Sequence, residues 1–285
     1  MINDTLRRLA KEIHTPLWIL EKDYAISYIL LGVSRVPALA DVLVLKGGTA
    51  LRKAYFQDYR FSEDLDYSTR SGAIPDIDAL MQAAVRQAET ELQRQGPFQV
   101  FLERLHLREP HPGDQAAYTL RVQFPTHRRL MCRLKVEITI DEPIVLHPEE
   151  CPVLHAYSDD YQATTFVYPL AEIAAEKLRA LLQSQARLQN RGWGASRACR
   201  DYYDLWQIFR RADFRDVNLP ELVARKCQVR EVAFRTPNDF FTPELLETIR
   251  REWAQMLVPF VPISPPAPEQ IIEETQDAVL QLWQR

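Results

Sequence analysis

The sequence predicts an α+β protein, with helices and strands mixed through roughly the first 165 residues and helices alone after that. Three observations carry the expectation. Residues 42–45 (VLVL) form an apolar run of strand length, and residues 132–141 alternate apolar and polar in the period of a strand. Between them, residues 76–95 carry a helical pattern closed by Gly96-Pro97. The segment 142–168 is punctuated by Pro143, Pro148 and Pro152, with Pro169 just beyond, and precedes a chain that reads as helix after helix. A boundary near residue 165 follows, separating domains 1–165 and 166–285.

The N-terminal elements read as helices over residues 3–13 and 16–32, broken at His14-Thr15-Pro16, with Thr15 as N-cap and Pro16 at the first helical position. Leu17, Leu20, Tyr24, Ser27 and Leu31 trace a mostly apolar stripe on the second. The charged trio Glu21-Lys22-Asp23 within it is expected to lie on a solvated face. Residues 98–107 and 117–124 read as strands on either side of a Pro/Gly/His loop at 109–113, and residues 142–168 as loop.

The chemistry gathers in residues 42–67. The apolar strand stops at Gly47-Gly48-Thr49, where a backbone free of side chains can turn into a helix over residues 50–55 and approach a ligand closely. The free N–H groups of that turn and the Thr49 hydroxyl are expected to face outward as a phosphate cradle. Ser62-Glu63-Asp64-Leu65-Asp66 then reads as a second strand, which puts Asp64 and Asp66 on one face. Two adjacent carboxylates repel one another unless a cation sits between them. A phosphate cradle beside paired carboxylates suits nucleotidyl transfer, in which the protein positions metal-bound phosphates and neutralises their charge. The plainer alternative is a glycine turn followed by an acidic loop end.

Lys46-Gly47-Gly48-Thr49-Ala50-Leu51 with Arg60-Phe61-Ser62-Glu63-Asp64-Leu65-Asp66 resembles the first motif of the AbiEii-type nucleotidyltransferases. These are toxins of type IV toxin–antitoxin and abortive-infection systems, include the MenT-like enzymes, and belong to the DNA polymerase β-like superfamily. The resemblance covers roughly residues 20–210 in four motifs. It implies a nucleotidyltransferase core with a small mixed β-sheet flanked by helices, a helical C-terminal region completing the active-site cleft, and chemistry on an NTP with Mg²⁺ in a two-metal site. Glu21-Lys22-Asp23-Tyr24 is similar to an element near the start of many such chains.

On the strand of residues 132–141, Leu134, Val136, Ile138 and Ile140 face one way and Arg133, Lys135, Glu137, Thr139 and Asp141 the other. Glu137 matches the third acidic residue of the superfamily pattern, with Lys135 one step along the same face as a candidate nucleotide-binding cation. Asp141 is a rival, although Glu142-Pro143 suggests that the strand has ended by then. An amphipathic strand with one wet face would also explain the alternation.

Residues 170–188 form a helix with a buried stripe of Leu170, Ala174, Leu178, Leu181 and Leu188, while Glu172, Glu176 and Arg179 fall on the opposite side. Lys177 lies inside the stripe, so it must snorkel out, pair with a carboxylate or meet a ligand phosphate. Residues 175–180 (AEKLRA) are similar to the family's third motif, whose lysine supports catalysis or binds triphosphate. Arg200-Asp201-Tyr202-Tyr203-Asp204-Leu205 resembles the fourth motif, whose first Asp is implicated in activity; Asp201 would equally suit the first turn of a helix. Between them Arg187, Arg191, Arg197 and Arg200 flank Gly192-Trp193-Gly194 with no acidic residue from 177 to 200. This loop suits an RNA backbone and a stacked base, or serves as a solvated connector whose arginines cap helix ends. Residues 259–268 read as an extended linker and 269–284 as a terminal helix packing back through Ile272, Val279, Leu282 and Trp283.

Over 285 residues the composition is ordinary for a globular protein, 46% hydrophobic and 26% charged, and a net charge of −4 excludes a global basic field. Nucleic acid would need a local patch. Four scattered cysteines suggest neither a zinc site nor disulfides, and with no signal peptide or membrane-length apolar run the expectation is a soluble cytoplasmic protein. The resemblance names an RNA acceptor such as the tRNA 3′ end and a cognate antitoxin. Transfer to a protein or small molecule, or NTP binding without turnover, are the alternatives.

Overall fold

A computed structural model of the chain describes residues 2–105 and 114–284. The loop expected at 109–113 and the end of the strand expected to reach residue 107 lie outside the described residues. The chain divides into two compact units, Met1–Tyr168 and Pro169–Arg285.

The first unit is a helix-flanked mixed sheet. Helices α1 (Ile2–Glu12), α2 (Leu17–Ser34) and α3 (Pro37–Ala40) lead into strand β1 (Leu43–Lys46), a short α4 (Gly47–Ala50) continued by a π turn at Leu51–Tyr55, and β2 (Asp64–Thr69). Helix α5 (Ile77–Gln93) and strands β3 (Gln99–Leu105), β4 (Gln115–Gln123), β5 (Cys132–Thr139), β6 (Glu149–Pro152) and β7 (Thr164–Val167) complete it. Among the described residues the sheet has seven strands, in the order β3-β4-β5-β2-β1-β7-β6. Strand β2 pairs antiparallel with β1 and parallel with β5, and β1 pairs parallel with β7.

The segment expected to be loop thus holds two strands, β6 and β7. At four residues each, they are too short for a period to declare itself. Helix α2 is buried nearly all round, which overturns the solvated face expected for Glu21-Lys22-Asp23: Asp23 is in the core and Lys22 reaches Glu63 at 2.9 Å. Its start differs as well, because Thr15 bonds to the Ile13 carbonyl and Pro16 occupies the N-cap. Gly32 lets α2 cross α5 closely, since a Cβ there would fall 2.2 Å from the Ala84 carbonyl oxygen and 2.9 Å from Ala88 Cβ.

The second unit is helical: α6 (Leu170–Arg191), α7 (Ala198–Arg211), α8 (Leu219–Val229), α9 (Pro243–Met256) and α10 (Pro268–Trp283). Gly192, with φ of 75°, caps α6 in the left-handed conformation that glycine adopts without strain. The core gathers Leu178, Leu181, Tyr202, Leu205, Val223, Ile249 and Val279. Glu172, Glu176 and Arg179 do not face water as the helical period suggested. Lys226 of α8 sits between Glu172 at 2.6 Å and Glu176 at 3.2 Å, and Arg179 donates to the Lys226 carbonyl at 3.3 Å. A second charged helix covers that side of α6. Among the described residues no helix is long and apolar enough to cross a membrane.

Candidate active site

The glycine turn at the end of β1 is packed against the acidic strand that follows it. Gly47 takes φ of 70°, where a side chain would be strained, and a Cβ on it would lie 3.1 Å from Asp66 Oδ2. A Cβ on Gly48 would fall 2.6 Å from Arg60 Nη2. The turn therefore brings bare backbone up to the Asp66 carboxylate. Thr49 differs from expectation: it is buried, and its hydroxyl bonds inward to the Asp64 carbonyl and lies 2.8 Å from Ser62 Oγ. It ties the turn to the start of β2, and only its backbone N–H remains for a ligand.

Strand register gathers the charged residues on one face. Asp66 is directly opposite Lys46 of β1 and Glu137 of β5, and Asp64 is opposite Lys135. Partners in register share a face of the sheet, so Lys46, Asp64, Asp66, Lys135 and Glu137 lie together, above a fully buried Leu65 and Val136 on the other side. Asp141 lies beyond the end of β5 and is exposed. Lys135 and Glu137 form an ion pair at 2.9 Å. Among the described residues no three His, Cys, Asp or Glu side chains converge as a ready metal cage. Carboxylates that repel one another turn to the nearest cation instead, and Glu137 has turned to Lys135. The donor set is made of hard oxygens and adjoins the bare backbone of Gly47, which fits a hard divalent cation.

Behind the turn lies a buried ionic cluster that the sequence reading did not find. Asp23 of α2 holds Lys53 at 2.8 Å and Arg52 at 3.4 Å, both from the π turn, and accepts a hydrogen bond from Tyr157 at 2.9 Å. Lys53 also donates to Ser27 Oγ at 3.0 Å, and Arg52 to the carbonyls of Gln57 and Tyr59. Burial would raise the Asp23 pKa, but the charges of Lys53 and Arg52 outweigh it and hold the carboxyl below its ordinary value. Burial likewise pulls Lys53 down, against the opposing pull of Asp23. The signal available was a charged trio, Glu21-Lys22-Asp23, on a helix otherwise mostly apolar.

In the second unit Lys177 takes the second of its expected courses. Its Nζ lies 2.5 Å from Asp204 and 3.0 Å from Asp201. Asp204 is completely buried, whereas Asp201 keeps partial access to water. Two acids three residues apart on one helix are neighbours, and both reach one lysine. Of the basic-loop residues, Arg191, Trp193 and Arg197 are exposed. Arg187 is exposed too, but donates to Gly194 O and Ser184 Oγ, and burial and the neighbouring Arg197 lower its pKa. Arg200 is turned inward, its guanidinium 4.0 Å from the Phe260 ring and its Nε donating to the Met256 carbonyl.

A search of curated proteins gives no match to the chain. The family model described as "Nucleotidyl transferase AbiEii toxin, Type IV TA system" matches residues 29–282, nearly the whole chain and both units. The chain belongs to the AbiEii family of nucleotidyltransferase toxins of type IV toxin–antitoxin systems.

Proposed function

We propose that this family member is a Mg²⁺-dependent enzyme that moves a nucleoside monophosphate from an NTP to an RNA acceptor such as the 3′ end of tRNA, acts in the cytoplasm, and is held in check by an antitoxin protein. The observation that supports this most is the row Lys46–Asp66–Glu137, three neighbours in register on adjacent strands with the Gly47 backbone against Asp66. In this reading Asp64, Asp66 and Glu137 hold the metal. Bound there, Mg²⁺ supplies charge neutralisation for the triphosphate and the departing pyrophosphate.

The chain's own groups do the rest. Backbone N–H groups of Gly47, Gly48 and Thr49 bind phosphate oxygens, at a turn flanked by the Arg60 guanidinium. Lys135, paired with Glu137, would also suit a phosphate oxygen, and Glu137 would then be available to hold the metal. Lys177, paired with buried Asp204 and with Asp201, is the second unit's candidate nucleotide-binding cation, and Asp201 its candidate catalytic acid. Arg187, Arg191, Trp193, Arg197 and Arg200 are the second unit's candidate RNA contacts, the last with the least freedom.

The test incubates purified protein with Mg²⁺, each α-³²P-labelled NTP in turn and total tRNA, with Asp66→Ala alongside. Label should pass to tRNA with one NTP preferred and be lost in the variant, by about 10³-fold or more if catalysis rests on the metal. Pyrophosphate release without labelled RNA would move the acceptor to a protein or small molecule. NTP binding without turnover would leave only a binding module.

A further inference from the structure

Beyond the acidic row one face of the sheet is solvent-exposed at its far end, past the buried Thr119, and the segment that builds it is, like residues 177–200, basic and free of acids. Residues 115–136 contain Arg121, Arg128, Arg129, Arg133 and Lys135 and no Asp or Glu, in a protein of net charge −4. Strand alternation sorts them. Leu120 and Val122 are buried while Arg121 is exposed, and Arg133 is exposed between buried Cys132 and Leu134. On edge strand β3, Phe101 is 50% exposed next to buried Val100.

Register then aligns them: Phe101 is opposite Arg121, and Arg121 is opposite Arg133. The next row along the same face runs Glu103, Thr119, Lys135 and Asp64, and the one after it holds Glu137 and Asp66. Successive rows on one face are about 7 Å apart. The aromatic and the arginines therefore begin about 7 Å from the Lys135–Asp64 row and continue the same surface. Arg128, Arg129 and Met131 on the β4–β5 connection are exposed as well.

We propose that this face binds the single-stranded end of the RNA acceptor, Phe101 stacking on a base and Arg121 and Arg133 holding the backbone. The proposal rests on the nucleotidyltransferase reading and deepens it by naming the acceptor surface. Charge complementarity and continuity with the acidic row select a nucleic acid over a protein partner. An aromatic on an open sheet face beside guanidinium groups is the chemistry by which unstacked bases are held. Glu103, the acid on the neighbouring strand, lies 3.6 Å from Arg121 in an exposed pair that costs little to open.

The test measures binding of the full-length protein to a short fluorescent single-stranded RNA with a free 3′-hydroxyl, and to a duplex of the same sequence. Variants are Phe101→Ala and the double Arg121→Gln/Arg133→Gln. All three positions are exposed, so melting temperature and NTP binding should match the wild type. Phe101→Ala should weaken single-strand binding about tenfold. The double variant should weaken it with a salt slope reduced by about 1.4. RNA binding equal to the wild type in both variants would overturn the proposal. So would duplex bound as tightly as single strand, or loss of NTP and RNA binding together. A wild type that binds RNA through this face yet transfers no nucleotide would defeat the enzymatic reading and leave the surface standing.

Discussion

Asp23 faces two cations at once, Lys53 at 2.8 Å and Arg52 at 3.4 Å, and all three are buried. Removing the carboxylate would leave two buried charges without a counter-ion, a loss of about 3–5 kcal/mol. Asp23→Asn should therefore lower the urea midpoint at pH 7 sharply. The pH dependence has a definite sign. The folded pKa of Asp23 is held below the unfolded value of 3.8, so its contribution is present above that value and lost as pH falls through the folded one. Asp159 adds to the same limb: burial would raise it, but hydrogen bonds from His155, Tyr28 and Tyr24 depress it. Wild-type stability should fall below about pH 4, and the Asn variant should show a shallower acid limb. Unfolding midpoints at pH 7 and pH 3 that coincide for the two proteins would refute this account.

Helices α6 and α7 pose a question of division of labour around Lys177. Asp204 is the buried partner and Asp201 the accessible one, so the two should fail differently. Asp204→Asn should cost about 3–5 kcal/mol of stability, as breaking a buried pair does. Asp201→Asn should cost less stability than Asp204→Asn while reducing nucleotide transfer. Melting curves and transfer rates on both variants check it, and the account fails if Asp204→Asn melts like the wild type. The sequence made only one of these two acids conspicuous, and the reason is general to this chain. Periodicity reads one helix at a time, so it found the stripe holding Lys177 but not the helix that delivers Lys226 to Glu172 and Glu176. In β5 the alternation of Leu134, Val136 and Ile138 was enough to set the face of Glu137, because a strand's period fixes its faces outright. The parallel pairing of β1 with β7 was not legible, since four residues among prolines carry no pattern. The Thr49 hydroxyl was misjudged because a one-turn helix running into a π turn aims its side chains by local packing.

Across the whole molecule, each unit carries its own charged centre: the carboxylate face in the first, the Lys177 cluster in the second. A net charge of −4 makes local arrangement decisive for any polyanion. The metal account leans on the same arrangement, since Asp64, Asp66 and Glu137 share a face while Asp141 lies beyond the strand. The measurement that tests it most directly is Mn²⁺ binding followed by electron paramagnetic resonance, which needs no turnover and no knowledge of the acceptor. The double variant Asp64→Asn/Asp66→Asn should lose the bound ion, Glu137→Gln should weaken it, and Asp141→Asn should leave it unchanged. Mn²⁺ held by the double variant as tightly as by the wild type would contradict the account.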